Sequence, residues 1–235
     1  MLKYQLIANQ IESHIYENNL PKGTKLPTVE QFASDYSVSK STIVKALESL
    51  VLKGIVYQVQ GSGIFVRKKN RNGYINFNSP HGFTDNLKDN KITSKVLDLQ
   101  LIKANDEICD YLECSKEDDV YIVKRVRYID DKIMCYEESY YKQSIITFLN
   151  NQIVEGSIFE YIEKAFNIKT SFQDRYFYVI SLDKEISKLL ELNENDPALV
   201  AYNQCYSPSG ILFNYSKIIY NYKNTKFYDQ SSTIK

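Results

Sequence analysis

Arg125 and Arg127 are the side chains of this sequence best suited to hold an anion. They stand one residue apart in the β-rich run Val120–Ile129, and alternate side chains of a strand share a face. Tyr121, Val123, Arg125, Arg127 and Ile129 then lie together, with Lys124 pointing the other way. Two guanidinium groups on one strand face make a forked cation that fits phosphate or carboxylate. The next β-rich run offers Glu137 and Glu138 on opposite faces, so one of them meets the arginines. A cross-strand salt-bridge ladder is the competing use of the same residues. Two other segments can present amides to an anion. In Ser79-Pro80-His81-Gly82-Phe83-Thr84-Asp85, a Gly-Phe-Thr step offers backbone N–H groups and a hydroxyl. Ser157 opens S-I-F-E-Y-I-E-K-A-F as an N-cap. The ordinary roles of these two segments are a turn and a cap.

A second constellation suits a polyanion. Between Leu26 and Val66 the spacing predicts two short helices at a tight turn, then a two-stranded ribbon closed by Gly61-Ser62-Gly63. Thr28 follows Pro27 at the start of the first helix, whose apolar positions are Val29, Phe32, Ala33 and Tyr36. Ser39 caps the second, which shows the apolar stripe Ile43, Leu47, Leu50 and Val51 and stops at Gly54. Its other face carries Lys40, Ser41, Thr42, Lys45 and Glu48. Lysines neutralise phosphates, short hydroxyls reach phosphates or base edges, and a helix N-terminus favours an anion. Gly61 and Gly63 permit the backbone angles of a hairpin tip. This order is that of a winged helix-turn-helix, whose usual work is reading duplex DNA. The alternative is a small helical domain for protein contacts.

The elements that must position these residues suit two domains. The expected division is a DNA-binding domain over 1–69, an Asn-rich charged linker over 70–78 and a second domain over 79–235. The whole chain balances 29 Lys/Arg against 29 Asp/Glu, but unevenly: residues 1–71 carry 10 against 5, and the remainder 19 against 24. A basic head on an acidic body suits a protein that touches DNA with one end only. Much of the excess is Arg67-Lys68-Lys69 with Arg71, which equally fits a solvated linker. No run of 18 apolar residues exists, so no membrane span is expected. The four cysteines, Cys109, Cys114, Cys135 and Cys205, show no C-x-x-C pair and no histidine partners, so neither zinc nor a disulfide framework is indicated. No cofactor is called for, and a reduced, cytoplasmic protein is expected.

In the second domain, strands are expected at Lys95–Ile102, Val120–Ile129, Ile133–Tyr141, Thr170–Ile180, Leu199–Ser207 and Ile211–Tyr222. Turns at Asp130-Asp131-Lys132 and Pro208-Ser209-Gly210 make hairpins. Helices are expected at Asn105–Leu112, Ile145–Ile153, Ser157–Ala165 and Asp183–Leu190. The result is an α+β domain with a mostly antiparallel sheet.

The N-terminal part resembles the GntR family of bacterial regulators through Leu26-Pro27-Thr28, the run Ser37–Leu47, Lys53-Gly54 and the run Gln60–Val66. The rest resembles the UTRA ligand-sensing domain of the HutC branch. The matching residues there are Gly82-Phe83-Thr84, the run Val123–Arg127, Tyr136-Glu137-Glu138-Ser139, the run Ser157–Ile162 and the run Phe213–Lys217. The resemblance covers nearly the whole chain. It implies a homodimeric transcription factor, usually a repressor of operator DNA. It also implies a chorismate-lyase-like second domain that binds a phosphorylated sugar or a related small acid. DNA contacts then fall to Thr28, Ser39, Lys40, Ser41, Thr42, Lys45, Gly61, Ser62 and Gly63. The implied effector set is Phe83, Thr84, Arg125, Arg127, Glu137, Ser157, Phe159, Asn214 and Tyr220. Some positions depart from the family pattern. Glu30 replaces an arginine that often contacts DNA, and Lys40 and Lys45 replace two more. Asn214 stands where a pocket carboxylate is common.

An enzyme is the rival class, since the second domain resembles a lyase fold. Catalysis needs an acid, base or nucleophile held in a triad or metal set. The sequence offers only His14 and His81, no nucleophile elbow and no metal motif. A regulator sensing a non-sugar acid, or no ligand, is the nearer alternative.

Overall fold

The computed structural model describes residues 2–67, 73–76, 87 and 90–229. The chain divides into two compact units, the boundary falling between Asn72 and Gly73.

The first unit holds α1 (Lys3–Glu17), α2 (Val29–Asp35), α3 (Lys40–Leu52), β1 (Val56–Val59) and β2 (Gly63–Val66). Thr28 opens α2 through a reciprocal cap. Its hydroxyl accepts from Gln31 N at 3.2 Å, and its own N–H donates to Gln31 Oε1 at 2.8 Å. Ser37 makes the turn in the left-handed region at φ 50°, and Ser39 Oγ accepts from Thr42 N at 3.3 Å to start α3. The apolar stripe of α3, Ile43, Leu47 and Leu50, packs on Ile7, Ile11 and Ile15 of α1 and on Val56 and Val66 of the ribbon. Burying each such side chain contributes about 1.5–3 kcal/mol, so the stripe fixes which face of α3 stays in water. The ribbon is antiparallel with Val59 opposite Gly63. Gly63 sits at φ +123°, where a Cβ would also come to 3.0 Å from Lys25 Cε.

The second unit is built on a six-stranded antiparallel sheet in the order β4-β5-β6-β9-β8-β7. The strands are β4 (Ile92–Lys103), β5 (Asp119–Ile129), β6 (Lys132–Lys142), β7 (Phe172–Ser181), β8 (Pro197–Tyr206) and β9 (Leu212–Tyr220). Asp130 and Asp131 both take positive φ, 48° and 61°, which joins β5 to β6 by a two-residue turn matched to strand twist. Gly210, at φ 77°, turns β8 into β9. One sheet face is covered by α5 (Asn151–Glu155) and α6 (Ile158–Phe166), which pack on Tyr121, Val123 and Tyr141. On the other face, α4 (Asp106–Leu112) packs on Val120 and Ile122, and residues flanking α7 (Lys184–Leu189) pack on Val126 and Val200. This is the expected α+β arrangement.

Two expectations need correction, one helix and the strand ends. The helix expected over Ile145–Ile153 is α5 alone, because Asn150 caps it from outside, accepting from Ile153 N at 2.9 Å. Ahead of that cap, β-branched Ile145, Ile146 and Thr147 resist helical χ1, and Ile146 and Leu149 are buried from irregular backbone. Within the stretch 70–78, where the alternation beginning at Tyr74 and Ile75 allows part of the linker to pair as a strand, β3 (Ile75–Asn76) pairs in parallel with β10 (Phe227–Tyr228) within the second unit. Strand ends differ by up to three residues, most at β4, which begins at Ile92 and not Lys95.

Candidate functional site

The pairing of β5 with β6 places Arg125 directly opposite Glu137 and Arg127 opposite Cys135. It settles which glutamate the arginines meet. Glu138 faces the other way, accepting from Tyr136 and Tyr140 hydroxyls and lying 3.6 Å from Lys124 Nζ. Arg125 is buried and largely committed within the protein. Its Nη2 donates to Glu137 Oε2 at 2.8 Å, and its Nη1 donates to the carbonyls of Val154 at 2.8 Å and Gly156 at 3.1 Å. The open fork expected from the sequence is therefore, at Arg125, a tie between the sheet and the α5–α6 junction. Arg127 Nη1 lies 3.5 Å from the same Glu137 oxygen, and Ser139 Oγ donates to Glu137 Oε1 at 2.9 Å. Burial pushes the Glu137 carboxyl up, but Arg125 and Arg127, with hydrogen bonds from Arg125 and Ser139, overcome it and hold the group below the ordinary carboxylate range. Burial and then the neighbouring Arg125 charge lower Arg127.

Ser157 follows Gly156 and caps α6, accepting from Glu160 N at 3.4 Å. The Arg125–Gly156 bond thus anchors the start of α6 beside the arginine pair. Phe159, the second residue of α6, packs edge-on to Phe213 with centroids 6.3 Å apart. On β9, Tyr220 lies opposite Cys135 and Asn214 opposite Tyr141, so both share the arginine face. Asn214 is buried, with Nδ2 donating to Tyr140 O at 3.0 Å and Tyr215 O at 3.2 Å. Asn214 Oδ1 has no hydrogen-bond partner among the described residues. Phe83 and Thr84 lie outside the described residues.

Sequence reasoning missed a transverse row on the same face. Ser139, Ser216, Asn203 and Arg175 stand in register across β6, β9, β8 and β7. Arg175 Nε donates to Asn203 Oδ1 at 2.6 Å, and Asn203 Nδ2 to Ser216 Oγ at 3.3 Å. Alternation in Gln173-Asp174-Arg175 gives Arg175 its parity, but only the strand order brings β7 to this row.

On the first unit, Lys40, Ser41 and Lys45 are exposed on α3, and Gly61 and Ser62 are exposed at the ribbon tip, with Gly63 half-buried. Ser39 Oγ contacts Ser41 Oγ at 2.9 Å and Thr42 Oγ1 at 2.8 Å, a cluster of hydroxyls at the helix start. Lys40 Nζ donates to Glu30 Oε1 at 2.8 Å. That hydrogen bond holds the Glu30 carboxyl below its ordinary range, and residue spacing alone does not predict the pairing.

Residues 3–66 match the gntR family of bacterial regulatory proteins, and residues 88–226 match the UTRA domain. Over 233 residues the chain is 46% identical to the HTH-type transcriptional regulator YydK of Bacillus subtilis (strain 168), covering 99% of each protein. The crystal structure of YydK superposes with a TM-score of 0.87 at 44% identity, over 99% of this chain and 100% of that one. The mannosyl-D-glycerate transport/metabolism system repressor MngR of Escherichia coli (strain K12) is 30% identical over 226 residues, 95% of this chain and 93% of MngR. These relatives are transcriptional regulators and not enzymes. The chain belongs to the GntR family of bacterial transcriptional regulators, joining a DNA-binding helix-turn-helix head to a UTRA effector domain.

Proposed function

We propose that this regulator is a cytoplasmic repressor of the HutC branch, and that a small anionic effector, a phosphorylated sugar, controls its hold on operator DNA. The observation that carries the reading is the bond from Arg125 to Gly156 O at 3.1 Å. It keeps the capped start of α6 next to the arginine face, so helix N–H groups, Ser157 and Arg127 converge on one anion. Phe159 supplies an apolar wall, and Glu137, Asn214 and Tyr220 supply polar groups on the same face. The family resemblance adds Phe83 and Thr84 to the effector set, and both lie outside the described residues. In this reading Arg127 touches the effector, while Arg125 and Glu137 position it. The named roles of relatives agree with sugar chemistry: MngR is a repressor of a mannosyl-D-glycerate system, and a solved relative is the effector-binding domain of the Bacillus subtilis trehalose repressor TreR, 25% identical with a TM-score of 0.55.

DNA is read by Lys40, Ser41, Thr42 and Lys45 in the major groove, with Gly61, Ser62 and Gly63 as the wing and Thr28 and Ser39 at helix starts. The working form is a homodimer joined through the effector domain. The edge strand β7 supports this, since it leaves Phe172, Tyr176, Phe177, Tyr178 and Val179 exposed. Sedimentation of the full chain should give a dimer, and Val179→Lys should shift it toward monomer.

The test of the effector is a thermal-shift screen of sugar phosphates, free sugars and small non-sugar acids. Operator gel shifts follow with any compound that binds. A sugar phosphate should raise the melting temperature and change the shift. Binding of a non-sugar acid alone, or of nothing at millimolar concentration, overturns the phosphosugar reading.

A further inference from the structure

Cys109 and Cys114 bracket the end of α4. Glu113 between them sits in the left-handed region at φ 51° and ψ 57°, and Cys114 N donates back to Cys109 O at 3.3 Å. This six-to-one bond is that of a Schellman C-cap, in which the side chains at the bonded positions meet. Here both side chains pack against the same apolar cluster beneath α4. Such a reversal is what a local disulfide needs, since its α-carbons must approach to roughly 4.4–6.8 Å. Both residues are partly exposed, whereas Cys135 and Cys205 are buried. We propose that Cys109 and Cys114 are a redox modification site that closes to a reversible disulfide under hydroperoxide.

The chemistry balances with the peroxide as oxidant. Cys109 releases its thiol proton, its thiolate attacks one oxygen of hydrogen peroxide, the O–O bond breaks, and sulfenic acid forms with a hydroxide that takes up that proton and leaves as water. The Cys114 sulfur then attacks the Cys109 sulfur, the S–O bond breaks, and the hydroxyl leaves as a second water with the Cys114 proton. Burial, and then the neighbouring Cys109, push the Cys114 thiol up to about 11. Disulfides of reduced compartments are mostly of this transient kind. The cap is tied to the sheet, so closing it reaches beyond α4. Lys142 Nζ donates to Glu113 O at 2.9 Å and Gln204 Nε2 to Tyr111 O at 2.9 Å. The Tyr111 ring stacks on Tyr215 at 4.6 Å. These contacts join the cap to β6, β8 and β9.

The experiment treats the reduced full-length protein with hydrogen peroxide, alkylates the remaining thiols and weighs the intact chain. Thiols should fall from four to two, with dithiothreitol restoring them. Cleavage after Glu113 should show Cys109 joined to Cys114. Cys114→Ser should form no disulfide and should instead give a Cys109 sulfenic acid trapped by dimedone. Retention of all four thiols, a link involving Cys135 or Cys205, or a link between chains overturns the proposal. So does a dimedone-negative Cys114→Ser protein.

Discussion

Two ion pairs in this molecule have the same length and opposite surroundings. On the DNA-facing unit, Lys40 and Glu30 meet at 2.8 Å with side chains 65% and 63% exposed. In the effector domain, Arg125 and Glu137 meet at 2.8 Å with side chains 3% and 5% exposed. Water screens the first pair and competes for both partners, so it adds little to folding and separates readily. The second has been taken out of water, so each partner depends on the other. Distance alone would rank them equal. Burial assigns one to a surface that exchanges partners and the other to a site that must keep them.

The largest effect should come from breaking the buried pair. Glu137→Ala leaves Arg125 and Arg127 facing one another without their shared carboxylate and should cost about 3–5 kcal/mol in denaturant unfolding. A midpoint equal to wild type would remove Glu137 from any structural role. The pair also gives stability a pH signature. The Glu137 carboxyl is held below its ordinary range in the folded state, so its contribution is complete above the unfolded carboxylate value of roughly 4.3. It is lost as pH falls through the lower folded value. Glu137→Gln should flatten that acid limb of the stability curve, and an unaltered limb would show that other carboxylates govern it.

Arg127 separates the two uses of the arginine face. As an effector contact, Arg127→Ala should lower effector affinity by about 2–5 kcal/mol while leaving effector-free operator binding near normal. As a rung of a salt-bridge ladder only, it should lower the melting temperature and leave affinity alone. Both quantities measured on the one variant choose between these outcomes.

The exposed side should respond in ionic-strength dependence and not in folding. Replacing Lys40 and Lys45 together by Ala should flatten the log–log salt dependence of operator binding by about one unit, the phosphate that Lys45 neutralises, because release at Lys40 is offset by its pairing with Glu30. An unchanged slope would move the phosphate contacts elsewhere on the head.

Local chemistry was legible in the sequence because it acts over a few residues. Thr28, Ser39, Asn105 and Asp183 all cap as their types suggest, and the Asp130-Asp131 turn forms the expected hairpin. The parity of Arg125 and Arg127 followed from strand alternation. What alternation could not give was the partner. Register alone decides between Glu137 and Glu138, and it is set by the two-residue turn at Asp130-Asp131 together with a bulge at the Tyr128–Ile133 pairing. The bonds from Arg125 to Val154 and Gly156 span about thirty residues and belong to tertiary packing. The helix over Ile145–Ile153 failed where apolar spacing was read without its cap: Asn150 supplies the N-cap, and Ile146 and Leu149 before it are buried outside any helix.

The smallest and sharpest test concerns Glu30, an acid beside the lysines that would read DNA. In the free protein Lys40 is already neutralised by Glu30. When Lys40 moves to a phosphate, one counterion leaves the DNA, but Glu30 is left to collect a cation from solution, and the two nearly cancel. Glu30→Gln removes the second half of that exchange. Operator binding should tighten at low salt, and its salt slope should steepen by about one unit. The melting temperature should stay where it was, because both partners are in water. The same substitution made in the Lys40→Ala background should then do almost nothing, since coupled residues show their interaction as non-additivity. If Glu30→Gln steepens the slope equally with and without Lys40, the acid acts through the general field of the head, and the 2.8 Å contact plays no part in binding.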